Sequence, residues 1–200
     1  LWFIIVLGDF IAWTKDFDFL EEMREPLLKA LAWCTDYGDK DGDGYIEYTG
    51  NVAGGLKNQG WKDSWDGVPD PEGKPVEPPV ALVEVQAYLY AAYQKASKML
   101  SILGEKKAAK RYEERARTLR KKFNHDFWVG KNDCLGLALD GQKRLIPTVA
   151  SNMGHALFTG ILPPQAAKRV AARLLSYEMF SGWGIRTLST REKAYNSISY

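Results

Sequence analysis

Between Tyr37 and Pro79 the chain loses the helical period that it shows almost everywhere else, and this interruption constrains its fold more than any other feature. The stretch holds nine of the 18 glycines and five of the nine prolines. A loop this long inside a helical domain is normally functional or disordered. Tyr45, Ile46, Tyr48, Leu56, Trp61 and Trp65 give it material to pack. The expectation is therefore an ordered loop, the default place to look for a site.

On either side the sequence reads as helix. Leu1–Trp13 is too densely apolar for a strict face, which predicts a buried helix ending near Thr14-Lys15. From about Asp18 to Thr35, Leu20, Met23, Leu27, Leu31 and Cys34 fall three or four apart, the stripe of one helix. Val80–Leu103 is apolar on nearly all sides at its start and is closed by Gly104. Glu105–Asn124 is sharply amphipathic, with Ala108, Tyr112, Ala116, Leu119 and Phe123 on one face and nine Lys/Arg on the other. That basic face reads as a solvated outer surface. Ser151–Gly160 and Pro164–Ser176 complete the set, with Pro164 suited to a first helical position. Alternation in Cys134–Ile146 around Asp140-Gly141 predicts a small hairpin.

Roughly six helices with almost no strand give an all-α architecture. Buried helices alternating with amphipathic ones suggest two concentric layers, as in part of a toroid of helical hairpins. No fixed-period repeat is visible, so a regular solenoid is excluded. The whole of residues 1–200 reads as one partial domain. The chain starts at Leu1 inside an apolar run and stops at Tyr200 without a structural stop, so it is expected to be incomplete at both ends.

Charge and composition exclude several classes. A net charge of +2 leaves no electrostatic footprint for nucleic acid and no polybasic membrane anchor. Leu1–Trp13 is too short to span a bilayer and contains Asp9. It also lacks the basic leader and cleavage site of a signal peptide, and the expected location is cytoplasmic. Cys34 and Cys134 make neither a disulfide framework nor a zinc pattern. No Gly-rich phosphate loop and no Gly-x-Ser-x-Gly elbow is present.

Two segments of the long loop could carry chemistry. Asp39-Lys40-Asp41-Gly42-Asp43-Gly44-Tyr45-Ile46 matches the first eight positions of a calcium loop: oxygen ligands at one, three and five, glycine at six, an aliphatic at eight. The match fails at position twelve, where Gly50 replaces the bidentate Glu, and Glu47 at position nine could substitute only in another geometry. The alternative is a glycine-rich turn whose aspartates accept backbone N–H groups. In Gly54–Gly67, two tryptophans alternate with Asp63, Asp66, the pair Asn58-Gln59 and Lys62. Aromatic platforms beside Asp, Asn and Gln suit the apolar faces and radial hydroxyls of a sugar, and an apolar wall can raise a carboxyl pKa so that it protonates a leaving oxygen. A Trp-rich packed minicore is the alternative.

Two polar residues sit oddly. Glu84 lies in Val80-Ala81-Leu82-Val83-Glu84-Val85, where a carboxylate must be paired or used, unless it is simply a helix-start Glu favoured by the dipole. His155 precedes an apolar run, the setting of a satisfied core histidine as much as of a catalytic one.

Taken together, Asp41–Tyr48, Gly55–Ser64, Ala81–Tyr88, Ser151–His155 and Phe180–Leu188 resemble one family. The chain is similar to the catalytic domain of bacterial amylo-α-1,6-glucosidase, glycogen-debranching-enzyme-like proteins. These belong among the (α/α)6-barrel glycosidases, with glucoamylases and trehalases. The resemblance implies an inverting glycosidase acting on α-glucosidic linkages, with no required cofactor and an oligosaccharide or α-glucan as partner. It places the general acid at Asp63, in Trp61-Lys62-Asp63, and the general base beyond Tyr200, so the remainder of the barrel is expected to complete the site. Trp61 and Trp65 would supply ring contacts, and Asn58, Gln59 and Glu84 would bind hydroxyls. Lys62, Asp66 and His155 are further binding candidates, and Trp183 and Arg186 resemble a second wall of the cleft. Calcium on Asp39, Asp41 and Asp43 would brace the loop and take no part in the chemistry. A non-catalytic carbohydrate-binding toroid and a trehalase- or glycosylglycerate-hydrolase-like enzyme are the alternatives.

Overall fold

The computed structural model describes residues 1–50 and 55–198. Gly54, the first residue of the Trp-rich segment, and Tyr200 lie outside the described residues. The architecture is mostly helical: α1 (Trp2–Thr14), α2 (Phe17–Glu22), α3 (Arg24–Trp33), α4 (Val83–Ile102), α5 (Lys106–Asp126), α6 (His155–Thr159) and α7 (Pro164–Leu174). Five two-residue strands accompany them: β1 (Ala81–Leu82), β2 (Trp128–Val129), β3 (Cys134–Leu135), β4 (Ala138–Leu139) and β5 (Leu145–Ile146).

Helix α4 is the inner element. Its buried residues run round the cylinder, Val83, Glu84, Gln86, Ala87, Leu89, Tyr90 and Tyr93 among them, because α1, α5 and α6 all pack against it. Helix α5 covers it from outside. It buries only Ala109, Tyr112, Ala116, Leu119 and Phe123, at intervals of three and four, and most of its basic residues are exposed, with Arg115, Arg120 and Lys122 partly buried. Gly104, at φ +79°, closes α4 and reverses the chain into α5. An inner helix backed by an amphipathic outer one is the expected two-layer arrangement.

Two sequence expectations need correction. Leu20, Leu27, Leu31 and Cys34 are buried and Met23 partly so, but the stripe is cut at Met23 into α2 and α3. Pro26 is the cause: it has no N–H for the Glu22 carbonyl, and its ring crowds the same group. Helix α1 is buried along Ile4, Ile5, Leu7, Gly8 and Ile11, while Trp2, Phe3, Val6, Phe10 and Trp13 are exposed. Dense apolar composition there reports two faces, of which the described residues cover one.

The expected hairpin forms as β4 and β5, with Ala138 opposite Ile146 and Leu139 opposite Leu145. Its turn is shaped by Asp140 Oδ1, which accepts from the N–H groups of Gln142 and Arg144 at 2.9 Å. Strand β1 joins the other edge of β4, antiparallel. Cys134-Leu135 instead pairs with Trp128-Val129. None of the helices among the described residues is long and apolar enough to cross a membrane.

The long loop is held at its two ends. Tyr48 and Val80 exchange both backbone hydrogen bonds, at 3.2 and 3.0 Å. Gln86 reaches from α4 to bond both the N–H and the C=O of Ile46, satisfying buried backbone that no strand serves. Tyr45, Ile46 and Tyr48 pack as expected, but Leu56, Trp61 and Trp65 do not: they are 57%, 46% and 67% exposed. Among the described residues the two tryptophans of this segment do not bury in a minicore.

Candidate active site

Trp61 and Asp63 are carried on a segment that is exposed above and anchored by buried polar groups below. Asn58 is buried. Its Nδ2 donates to Ser64 O at 2.6 Å and its Oδ1 accepts from Tyr48 O–H at 2.8 Å, so both ends of its amide are used inside the loop. The expectation that Asn58 binds a hydroxyl gives way to a bracing role. Glu84 is also wholly buried, in the first turn of α4, and its Oε1 accepts from the Trp61 N–H at 3.3 Å. As placed, it cannot reach a ligand directly, and it too holds the loop from beneath. Gly60 makes this approach feasible, because a Cβ there would lie 2.8 Å from Glu84 Oε1 and 2.2 Å from Leu82 Cδ1.

Lys62 is the third anchor. It is 2% exposed, and its Nζ donates to the Thr187 carbonyl at 2.5 Å. Burial lowers its pKa to about 8, against the pull of nearby Glu84. The same burial pushes the Glu84 carboxyl up, and the buried amide of Asn152, the Trp61 N–H and the Lys62 ammonium oppose that shift. A lysine expected to bind substrate is thus spent on the protein's own backbone.

His155 stands at the start of α6, half-buried, with Nδ1 2.6 Å from Tyr88 O–H and its ring 5.2 Å from that of Trp61. Burial, and then Lys62, lowers its pKa. It supports the tryptophan from the side. Tyr88 was not singled out in the sequence, although it follows Glu84 by one helical turn and so shares its face.

Above these anchors, Gln59, Trp61, Asp63, Trp65 and Asp66 are exposed. A cavity of about 550 Å³ opens beside them, lined by Trp2, Trp33, Tyr48, Gln59, Trp61 and Tyr88 among others. Asp63 does not line it and stands two residues along from Trp61. Trp183 is 99% exposed, at the tip of a turn closed by the Phe180–Ile185 bridge, and the Arg186 N–H donates to Met179 O. Lys62 ties this segment, through Thr187, to the Trp61 loop.

Asp39, Asp41 and Asp43 do converge, with carboxylate oxygens within 4.8 Å of one another. Each also accepts a backbone N–H, from Gly44, Asp43 and Tyr45 in turn. The ammonium of Lys143 lies against two of them, 2.8 Å from Asp41 Oδ2 and 3.0 Å from Asp43 Oδ2, and in contact with Glu47 Oε1. Burial works against its charge, but these carboxylates outweigh that and hold its pKa well above the ordinary lysine value. No local signal pointed to Lys143, which comes from the β4–β5 turn about a hundred residues on.

No curated protein matches the chain. Among solved structures, one described as "Sialidase" matches with a TM-score of 0.75 at 15% sequence identity. The match covers 100% of this chain and 17% of that one, and at this identity it shows a shared fold alone. The family described as Amylo-alpha-1,6-glucosidase matches residues 1–200. The chain therefore belongs to the amylo-alpha-1,6-glucosidase family.

Proposed function

We propose that the chain forms part of a glycoside hydrolase that cleaves α-glucosidic linkages, removing branches from glycogen or a related α-glucan with inversion. The observation that carries this reading is the anchoring of the Trp61–Asp63 segment. Burying Glu84 and Lys62 costs several kcal/mol unless something is gained. What they hold in place is an exposed tryptophan that lines an aromatic cavity, with an exposed carboxyl group two residues along.

In this reading Asp63 donates a proton to the glycosidic oxygen as the bond to the anomeric carbon breaks. Trp61 and Trp65 offer ring faces to the C–H surfaces of the sugar, and Gln59 bonds its hydroxyls. Asp66, Trp183 and Arg186 complete the rim. Inversion needs a second carboxylate roughly 6.5–9.5 Å from Asp63 to activate a water on the opposite face of the ring. We place that base outside residues 1–200, and with it the helices that complete the cleft. No cofactor takes part in these steps. The reading includes a cytoplasmic setting, in keeping with two buried unpaired thiols, Cys34 and Cys134.

The test is a panel of α-1,6- and α-1,4-linked glucans given to the complete protein, with the first-formed anomer followed by NMR. Release of β-glucose from the branched substrate is the expected result. Release of α-glucose would overturn the inverting mechanism. Binding with no turnover on any member would favour a non-catalytic toroid.

A further inference from the structure

The carboxylates of Asp39, Asp41 and Asp43 converge as in a calcium loop, within 4.8 Å of one another, yet two of them already hold a cation. A loop of this kind closes on calcium with a bidentate Glu at position twelve, and Gly50 stands there. One oxygen of Asp41 and one of Asp43 are taken by the backbone N–H groups of Asp43 and Tyr45. Their second oxygens, with Glu47 Oε1, surround the Lys143 ammonium. Oxygens of positions three, five and nine are therefore arranged about a cation already, and that cation is covalently part of the chain.

A second ammonium completes the charge. Lys122, on α5, has its Nζ 3.7 Å from Asp43 Oδ2, donates to the Asp43 carbonyl, and sits 4.2 Å from the centre of the Tyr45 ring. The Tyr45 hydroxyl in turn donates to Asp126 Oδ2 at 2.8 Å. Two lysines thus bring to this loop the two positive charges that one calcium ion would bring. They arrive from α5 and from the β4–β5 turn, and so tie both elements to the base of the long loop. Asp39 Oδ1 has no hydrogen-bond partner among the described residues, so the ammonium groups serve three of the four carboxylates.

We propose that Lys143, seconded by Lys122, is a built-in replacement for calcium, and that the long loop is braced without a metal. An ammonium has three donors in a tetrahedral fan, which matches three separate carboxylates, whereas calcium takes six to eight oxygens. Removing the ammonium should therefore uncover a latent metal site.

The experiment compares the complete wild-type protein with its Lys143→Met and Lys143→Gln variants by calorimetric titration with calcium chloride and by thermal melting in calcium or in chelator. Wild type should show no saturable heat and the same melting temperature in both buffers. Lys143→Met should melt several degrees lower in chelator, and calcium should bind it and restore most of the loss by mass action. Adding Asp41→Asn to that variant should abolish the rescue. Lys143→Gln, which keeps a donor for Asp41, serves the same comparison if the Met variant does not fold. Saturable calcium binding by wild type that raises its melting temperature would overturn the proposal. So would a folded Lys143 variant that is indifferent to both chelator and calcium.

Discussion

The ammonium of Lys62 lies 2.5 Å from the carbonyl oxygen of Thr187, across 125 positions of sequence. That contact joins the segment carrying Trp61 and Asp63 to the one carrying Trp183 and Arg186. A lysine in an exposed loop would normally spend its charge in water. Here it is buried between two surface segments, with Glu84 close enough to favour its charged form. The clamp fixes the separation of the two walls of the proposed cleft, the quantity that positions a sugar ring against a proton donor.

Replacing Lys62 with Met should therefore loosen both segments. At pH 7 the lost hydrogen bond to Thr187 is offset by the removed cost of burying a charge, so the stability change read by urea denaturation should be small there. The pH dependence has a definite sign. Lys62 titrates at about 8 in the folded chain against 10.5 unfolded, so between those values the unfolded chain holds more protons. The contribution of Lys62 to stability therefore rises with pH across that window, and below pH 8 the cost of burying its charge is present in full. The wild-type advantage over Lys62→Met should widen from pH 8 to 10.5. In the variant, the depressed pKa of His155 should move up by NMR, because one of its two causes has been removed. An unmoved His155 would detach Lys62 from this cluster.

Gly60 offers a steric test of the same anchoring. A methyl group there would fall 2.2 Å from Leu82 Cδ1, and Leu82 is fully buried in β1. Gly60→Ala should cost about 1–3 kcal/mol of stability by overpacking. It should also push Trp61 off Glu84 Oε1, with a change in tryptophan emission and a larger loss in kcat than in substrate affinity. Wild-type melting and emission together would mean that this segment does not lie against the start of α4.

The helical layers were legible because their causes are local. Intervals of three and four placed the buried face of α5, and Gly104 placed the end of α4. The break ahead of Pro26 is equally local, since a proline removes the N–H that would continue the stripe as one helix. The site was legible in part. Trp61, Asp63 and Glu84 could be picked out as residues whose chemistry does not suit their neighbours. The division of labour among them could not, because it depends on which polar ends find partners at a distance. Tyr48 consumes one end of Asn58 and Thr187 consumes Lys62, and neither pairing leaves a trace in spacing. Lys143 is the extreme case: the calcium-like pattern of Asp39, Asp41 and Asp43 is real, and the cation that answers it is written elsewhere in the chain.

The mechanistic assignment rests on Asp63 rather than Asp66, and the two can be separated by chemistry. Both are exposed carboxylates in the same segment. Asp63 follows Trp61 and Lys62, so the anchors at Glu84 and Thr187 fix the backbone on its N-terminal side. Asp66 lies inside the turn that the Gly67 N–H closes on Ser64 O at 3.0 Å, beyond the Glu84 and Thr187 anchors. A proton donor must hold its position against the glycosidic oxygen to within a few tenths of an ångström, which favours the better-anchored group. Asp63→Asn keeps the shape and removes the transferable proton. In the complete protein, turnover of an unactivated α-glucoside should fall by about 10²–10⁴. The loss should shrink on an aryl glucoside with a good leaving group, which needs little protonation to depart. Asp66→Asn should act mainly on KM, as the removal of a binding contact does. If the leaving-group dependence appears at Asp66 instead, the acid sits three residues further on. If it appears at neither, the proton comes from outside this loop, and the buried anchors at Glu84 and Lys62 serve only to hold an aromatic binding surface.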